Sequence, residues 1–192
     1  MITPAKQPDM QKRLFTILGT LAVLFSPDAF AQQGKPAPHP QAQKAMEKIV
    51  LKKDFGENLK FHSRKVVTML KNDRVPGLNG LMFMRWKGDD PGTEVMASVQ
   101  WFQEKDDLLK FYAPTTSRKN YKLGELGGTT LWMIGEKGYS WTDGEHFLVS
   151  LGGSPQPPQE MVEAWLSMIG SKVAEIEKKA KSKSEPVERT KG

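Results

Sequence analysis

The 192-residue sequence contains no cysteine. That excludes disulfide bonds, thiol catalysis and cysteine-ligated metal in one step, and it removes the cysteine a bacterial lipoprotein carries at its cleavage site. Histidine is nearly as scarce. Only His39, His62 and His146 occur, and His39 falls in a proline-rich stretch, which argues against a three-histidine zinc centre. A membrane span needs roughly 20 apolar residues, whereas the uncharged run from Leu14 to Phe25 has 12.

Several chemical signatures are missing too. Asp89-Asp90-Pro91-Gly92 has neither the spaced ligands nor the distal glutamate of a calcium loop, so it reads as a turn. Gly152-Gly153-Ser154 lacks the Gly-Lys-Ser/Thr ending of a phosphate loop. The prolines at 155, 157 and 158 remove amide donors that would hold an anion, so it reads as a plain loop. No nucleophile elbow surrounds Ser140 or Ser150. No cofactor or metal is expected.

What is present begins with an export signal. Lys12 and Arg13 precede the apolar run, Ser26-Pro27 breaks it, and Ala29-Phe30-Ala31 places small residues where a signal peptidase reads. Cleavage after Ala31 is expected, giving a periplasmic or secreted protein with no membrane span. The chain has 28 basic and 22 acidic residues, net +6, of which residues 1–31 carry +1. Much of the excess sits at Lys178, Lys179, Lys181 and Lys183. Residues 179–192 hold too little apolar surface to order themselves and read as a basic tail. Such a tail can hold an anionic envelope polymer by charge alone, but no specific nucleic-acid signature accompanies it.

Residues 32–40 (QQGKPAPHP) form a Pro/Gln-rich linker, and 41–178 is the size of one domain with one core. A helix is expected over 41–53 from the stripe Ala42, Ala45, Met46, Ile49 and Val50. Residues 59–71 lean to strand. Leu81–Trp86 and Thr93–Gln103 flank a turn-forming stretch and read as a hairpin. Glu104–Tyr112 reads as a short helix closed by Pro114.

Next, Gly127-Gly128 and Asp143-Gly144 sit between alternating apolar runs and predict two tight hairpins, hence a four-stranded meander. Two-residue loops would pair Leu126 with Thr129 and Thr142 with Glu145. Trp132 then opposes Leu123, and Trp141 opposes His146. If Ile134 pairs with Tyr139, one face collects Tyr121, Trp132, Tyr139, Trp141 and His146. A long amphipathic helix from Pro157-Pro158 through Val162, Trp165, Ile169, Val173 and Ile176 ends the domain. The fold class is α+β: an antiparallel sheet packed against amphipathic helices, with its second face partly open.

The aromatic face is the candidate ligand site, able to stack a ring or take an apolar chain, with His146 and Tyr139 as polar handles. The alternative is that these rings are core under Trp165. The expected function is non-catalytic: a small exported binding or accessory protein for an unknown protein or small hydrophobic ligand. An enzyme or hydrophobic-ligand carrier using the aromatic face with His146 is the second reading. A protein held to the envelope by Lys178, Lys179, Lys181 and Lys183 is the third.

Overall fold

Alternating strand patterns separated by glycine turns build one antiparallel sheet, in a computed structural model that describes residues 37–116 and 119–184. The segment expected to be an export signal, residues 1–31, lies outside the described residues. Helix α1 (Pro40–Glu47) leads into strands β1 (Lys60–Thr68), β2 (Leu78–Lys87) and β3 (Glu94–Phe102). Helix α2 (Lys105–Thr116) crosses to β4 (Tyr121–Leu126), β5 (Thr129–Ile134), β6 (Gly138–Thr142) and β7 (Phe147–Ser154). Helices α3 (Gln159–Met168) and α4 (Val173–Ser184) follow. All seven strands lie in one sheet in the order β1-β2-β3-β7-β6-β5-β4. The hairpin and the meander are joined where β3 pairs with β7.

One face of this sheet is core. Met82, Met84, Trp86, Val95, Ala97, Val99, Trp141 and Val149 are fully buried there. Burying a side chain of this kind contributes about 1.5–3 kcal/mol each. Helix α1 rests on Gly80, where an added Cβ would lie 3.0 Å from Met46 and 3.3 Å from Ala42. Helix α3 places Trp165 edge-on against Trp86, with centroids 6.5 Å apart. The buried indole of Trp86 donates to the Lys53 carbonyl at 2.8 Å, which fixes the segment between α1 and β1 across the same face.

Four expectations about the elements change. The first helix stops at Glu47, short of 53, and Val50 is exposed. Helix α2 runs two residues past Pro114, to Thr116. Gly152-Gly153-Ser154 is strand rather than loop. A Cβ on Gly153 would meet the Glu94 carbonyl at 2.2 Å, so the close β3–β7 approach there requires glycine. The long C-terminal helix is two helices. Ile169 turns to extended geometry, and three bonds capture the break: the Trp141 indole to the Ile169 carbonyl (2.9 Å), the Ser171 hydroxyl to the Thr130 carbonyl (2.7 Å), and the Lys172 amide to the Thr142 carbonyl (2.9 Å). Gly170, a poor helix former, sits in the middle of it. Among the described residues no helix is long and apolar enough to cross a membrane.

Candidate functional site

Loop geometry decides which side chains share a face. The Gly127-Gly128 hairpin pairs as its sequence predicts: Leu126 with Thr129, Leu123 with Trp132, Tyr121 with Ile134. The middle turn does not. Ile134 pairs with Gly138, leaving a three-residue loop with Gly135 at φ 57°. Trp132 therefore opposes Ser140, and a slip of one residue sends Trp141 to the other face.

The last hairpin is wider than two residues. Asp143 Oδ1 accepts from the amides of Glu145 (2.9 Å), His146 (2.9 Å) and Phe147 (2.8 Å), so the carboxylate organises the whole loop. Thr142 pairs with Leu148 and Trp141 with Val149, rather than with Glu145 and His146.

The predicted aromatic face is consequently divided. Tyr121 and Trp132 lie on the face opposite the main core. Tyr139 and Trp141 lie on the core face, where Trp141 is fully buried and the Tyr139 hydroxyl accepts from Gln156. His146 is off the sheet, exposed in the loop and stacked on Trp101, with centroids 5.7 Å apart and planes at 27°. Its Nδ1 lies 3.0 Å from the Phe102 carbonyl. The fold does not bring Tyr139 and His146 together.

The basic residues expected in a tail are helical as far as Ser184. Lys178, Lys179, Lys181 and Lys183 all belong to α4, where Lys179 pairs with Glu175 one turn earlier. Residues 185–192 lie outside the described residues.

The second sheet face carries an arrangement of its own. One row of directly paired residues crosses the entire sheet: Lys65, Phe83, Ser98, Ser150, Ser140, Trp132 and Leu123. The neighbouring row reads Ser63, Arg85, Met96, Gly152, Gly138, Ile134 and Tyr121. Both rows put small residues on the central strands and large apolar ones to either side. The result is a trough floored by three serines and two glycines, with Phe83 and Met96 on one bank and Trp132 and Ile134 on the other. Phe83 and Trp132 stand about 19 Å apart at the usual strand spacing, and Met96 and Ile134 about 14 Å. All four bank residues are half-buried.

One end of the trough is shut. The next row contains Gln100, Leu148 and Thr142, all buried beneath α2, which packs on β3 and β7. Gln100 is 1 % exposed and its Oε1 has no hydrogen-bond partner among the described residues. Tyr112, on α2, meets the Trp132 indole. Burial drives its phenol far above the ordinary value of 10.0, against the lowering effect of Trp132. Glu145 accepts from Lys105 of α2 (3.0 Å) and from Lys172 just before α4 (3.3 Å). Those two ammonium groups hold its carboxyl below the usual value of 4.5.

A second depression of about 440 Å³ lies near Asn72, Asp73, Glu104 and Asp107. Its side-chain amides fold the chain between β1 and β2, although the buried Asn72 Nδ2 has no hydrogen-bond partner among the described residues. Asn72 Oδ1 accepts from the Arg74 and Val75 amides, and Asn79 Nδ2 donates to the Met69 and Leu70 carbonyls. We read it as a structural loop. Among the described residues no cluster of side chains has the composition to hold a metal ion.

No known protein family, curated protein or solved structure matches this chain. The functional reading therefore rests on the trough and its chemistry.

Sequence reasoning missed the trough. Its central contact, Ser98 against Ser150, depends on β3 pairing with β7 across 52 positions of sequence. The only local hint was the unusual run of small residues, Ser150, Gly152 and Gly153, in a strand that otherwise reads apolar.

Proposed function

We propose that the chain is an exported, non-catalytic binding protein that seats an elongated apolar ligand in the trough. The observation that carries this reading is the register: small residues on three adjacent central strands, bounded on both sides by half-buried Phe83, Met96, Trp132 and Ile134. Trp132 packs against Tyr112 of α2 on one side, and the large side chains of both banks keep partly exposed surface over the glycine and serine floor, an apolar patch of the kind that marks a ligand groove. The floor itself is poorly suited to polar recognition. The Ser140 hydroxyl donates to the Val149 carbonyl at 2.9 Å and lies 3.2 Å from the Ser150 hydroxyl, so those two groups are occupied with the fold. The central strands are also paired on both sides, which leaves no backbone edge for an added peptide strand.

The test is a chain-length series of linear alcohols, from hexanol to dodecanol, titrated against the purified protein by Trp132 fluorescence. Each buried methylene contributes about 0.8 kcal/mol, so affinity is expected to rise about fourfold per carbon until the trough is full. Ser150→Leu fills the floor and should abolish the series with circular dichroism unchanged. Ser98→Leu serves if the first variant misfolds. Affinity independent of chain length, or equal in a folded trough-filled variant, would overturn the reading.

A further inference from the structure

The two banks of the trough differ in charge. On the β1–β2 side, the charged residues that share its face are Lys60, Lys65, Arg85 and Lys87, against Glu94 and the Asp54 carboxylate that pairs with Lys60 at 3.6 Å. Lys65 is exposed and makes no ion pair among the described residues. It sits directly beside Phe83 in the row that crosses the serine floor. Arg85 lies beside Met96, with Glu94 at 3.5 Å and both side chains partly solvated. That contact leaves most of the guanidinium's donors unengaged. The β4–β5 bank is different. Leu123 follows Trp132 in the same row and is 47 % exposed, an apolar side chain standing in water in mid-strand. On that bank the charged residue of β4 on this face is an acid, Glu125.

From this asymmetry we infer that the occupant is a single-chain amphiphile with an anionic head, lying across the strands. Its head meets Lys65 and Arg85, and its tail runs over the serine floor toward Trp132 and Leu123. The inference rests on the trough reading and adds the head-group class and the direction of binding. Charge complementarity selects it. A neutral chain leaves Lys65 unused, and a cationic head at the β1–β2 bank meets a surplus of positive side chains led by Lys65 and Arg85. The opposite orientation places an anionic head beside Glu125 and the hydrocarbon among cations. The floor supplies shape and the banks supply contact area, while the unpaired ammonium supplies polarity of placement.

Three ligands with one twelve-carbon tail separate these terms: dodecyl phosphate, dodecanol and dodecyltrimethylammonium, each below its micelle concentration. The expected order places the phosphate about fivefold to tenfold tighter than the alcohol at low salt, as partly solvated ion pairs allow, and the ammonium weakest. Raising the salt should shrink the phosphate-to-alcohol ratio toward one. In Lys65→Glu the ratio should fall below one, and Lys65→Arg should restore it. If dodecanol binds and the phosphate shows no advantage, the head-group inference is overturned and the trough reading stands. If the ammonium ranks first, the orientation is overturned. If none of the three binds the folded protein, both readings fall together.

Discussion

His146 stacks on Trp101, and the same indole is approached by His39, whose ring centroid is 5.4 Å away. The two histidines lie 107 positions apart in sequence, and the contact between them is one tryptophan at the end of β3. His39 falls in the stretch that composition assigns to a linker, yet it is 8 % exposed and belongs to the fold. Its Nδ1 accepts the Ala42 amide at 3.2 Å and its Nε2 faces Gln103 Oε1 at 2.9 Å, so it caps α1 and ties it to the chain after β3.

His39→Ala is therefore expected to cost about 1–2 kcal/mol, the range of a lost N-cap. His39→Asn keeps an acceptor at the cap and should recover part of that. Urea unfolding of the three proteins checks both. A His39→Ala protein as stable as wild type would remove the capping role.

The Glu145 carboxylate draws α2 and the start of α4 to the same loop through Lys105 and Lys172. Its folded pKa is lowered, so its stabilisation is present above the ordinary carboxylate range and is lost as pH falls through the folded value. Glu145→Gln should be less stable than wild type near neutrality, and the gap should close on acidification. The effect is modest, because the pair is exposed, and salt should reduce it. Thermal unfolding across acidic pH, at two salt concentrations, measures the gap directly.

Tyr112 moves the other way. Burial raises its pKa above 10.0, so the fold favours the neutral phenol, and that stability is lost as pH rises beyond the ordinary value. Alkaline unfolding should accompany ionisation of this tyrosine. Tyr112→Phe should flatten the loss of stability above about pH 10. An absorbance titration in which every tyrosine ionises before the structure changes would contradict the assignment.

Trp132 and Trp141 test the division of the aromatic face. Trp141 is fully buried and its indole donates to Ile169 at the helix break. Trp141→Phe should cost about 1–3 kcal/mol and loosen the approach of α3 to α4. Trp132→Phe should cost less, and the emission it removes should be redder and more readily quenched. Identical difference spectra for the two variants would place both rings in one environment, against the register.

The fold was legible wherever local signals decide geometry. Gly127-Gly128 set the β4–β5 register to the residue, and the glycine and aspartate turn after Trp86 marked the β2–β3 hairpin. Errors arose where a side chain or an odd loop overruled the turn dipeptide. The Asp143-Gly144 dipeptide predicts a two-residue turn, but the Asp143 carboxylate gathers three amides and opens the loop, moving Trp141 from His146 to Val149. One extra unit of slip at Gly135 sufficed to split an aromatic face in two. The C-terminal stripe from Val162 to Ile176 kept helical spacing through a break made by bonds to the sheet, which no periodicity reports. The candidate site was hidden for the same reason, because its floor comes from strands distant in sequence.

The position of β7 has a consequence for the order in which the molecule is made. It is the last strand to be synthesised, and it lies between the two halves of the sheet, paired to β3 on one side and β6 on the other. Until residues 147–154 emerge, the nascent chain holds two separate antiparallel pieces. Each presents a raw inner edge, at β3 and at β6, of the kind that invites pairing with a neighbour. Completion by so late a strand concentrates contacts of high sequence separation at the end of folding, which slows the final step. For the exported role proposed above, that delay would keep the chain threadable while the ribosome and the translocation channel still hold it.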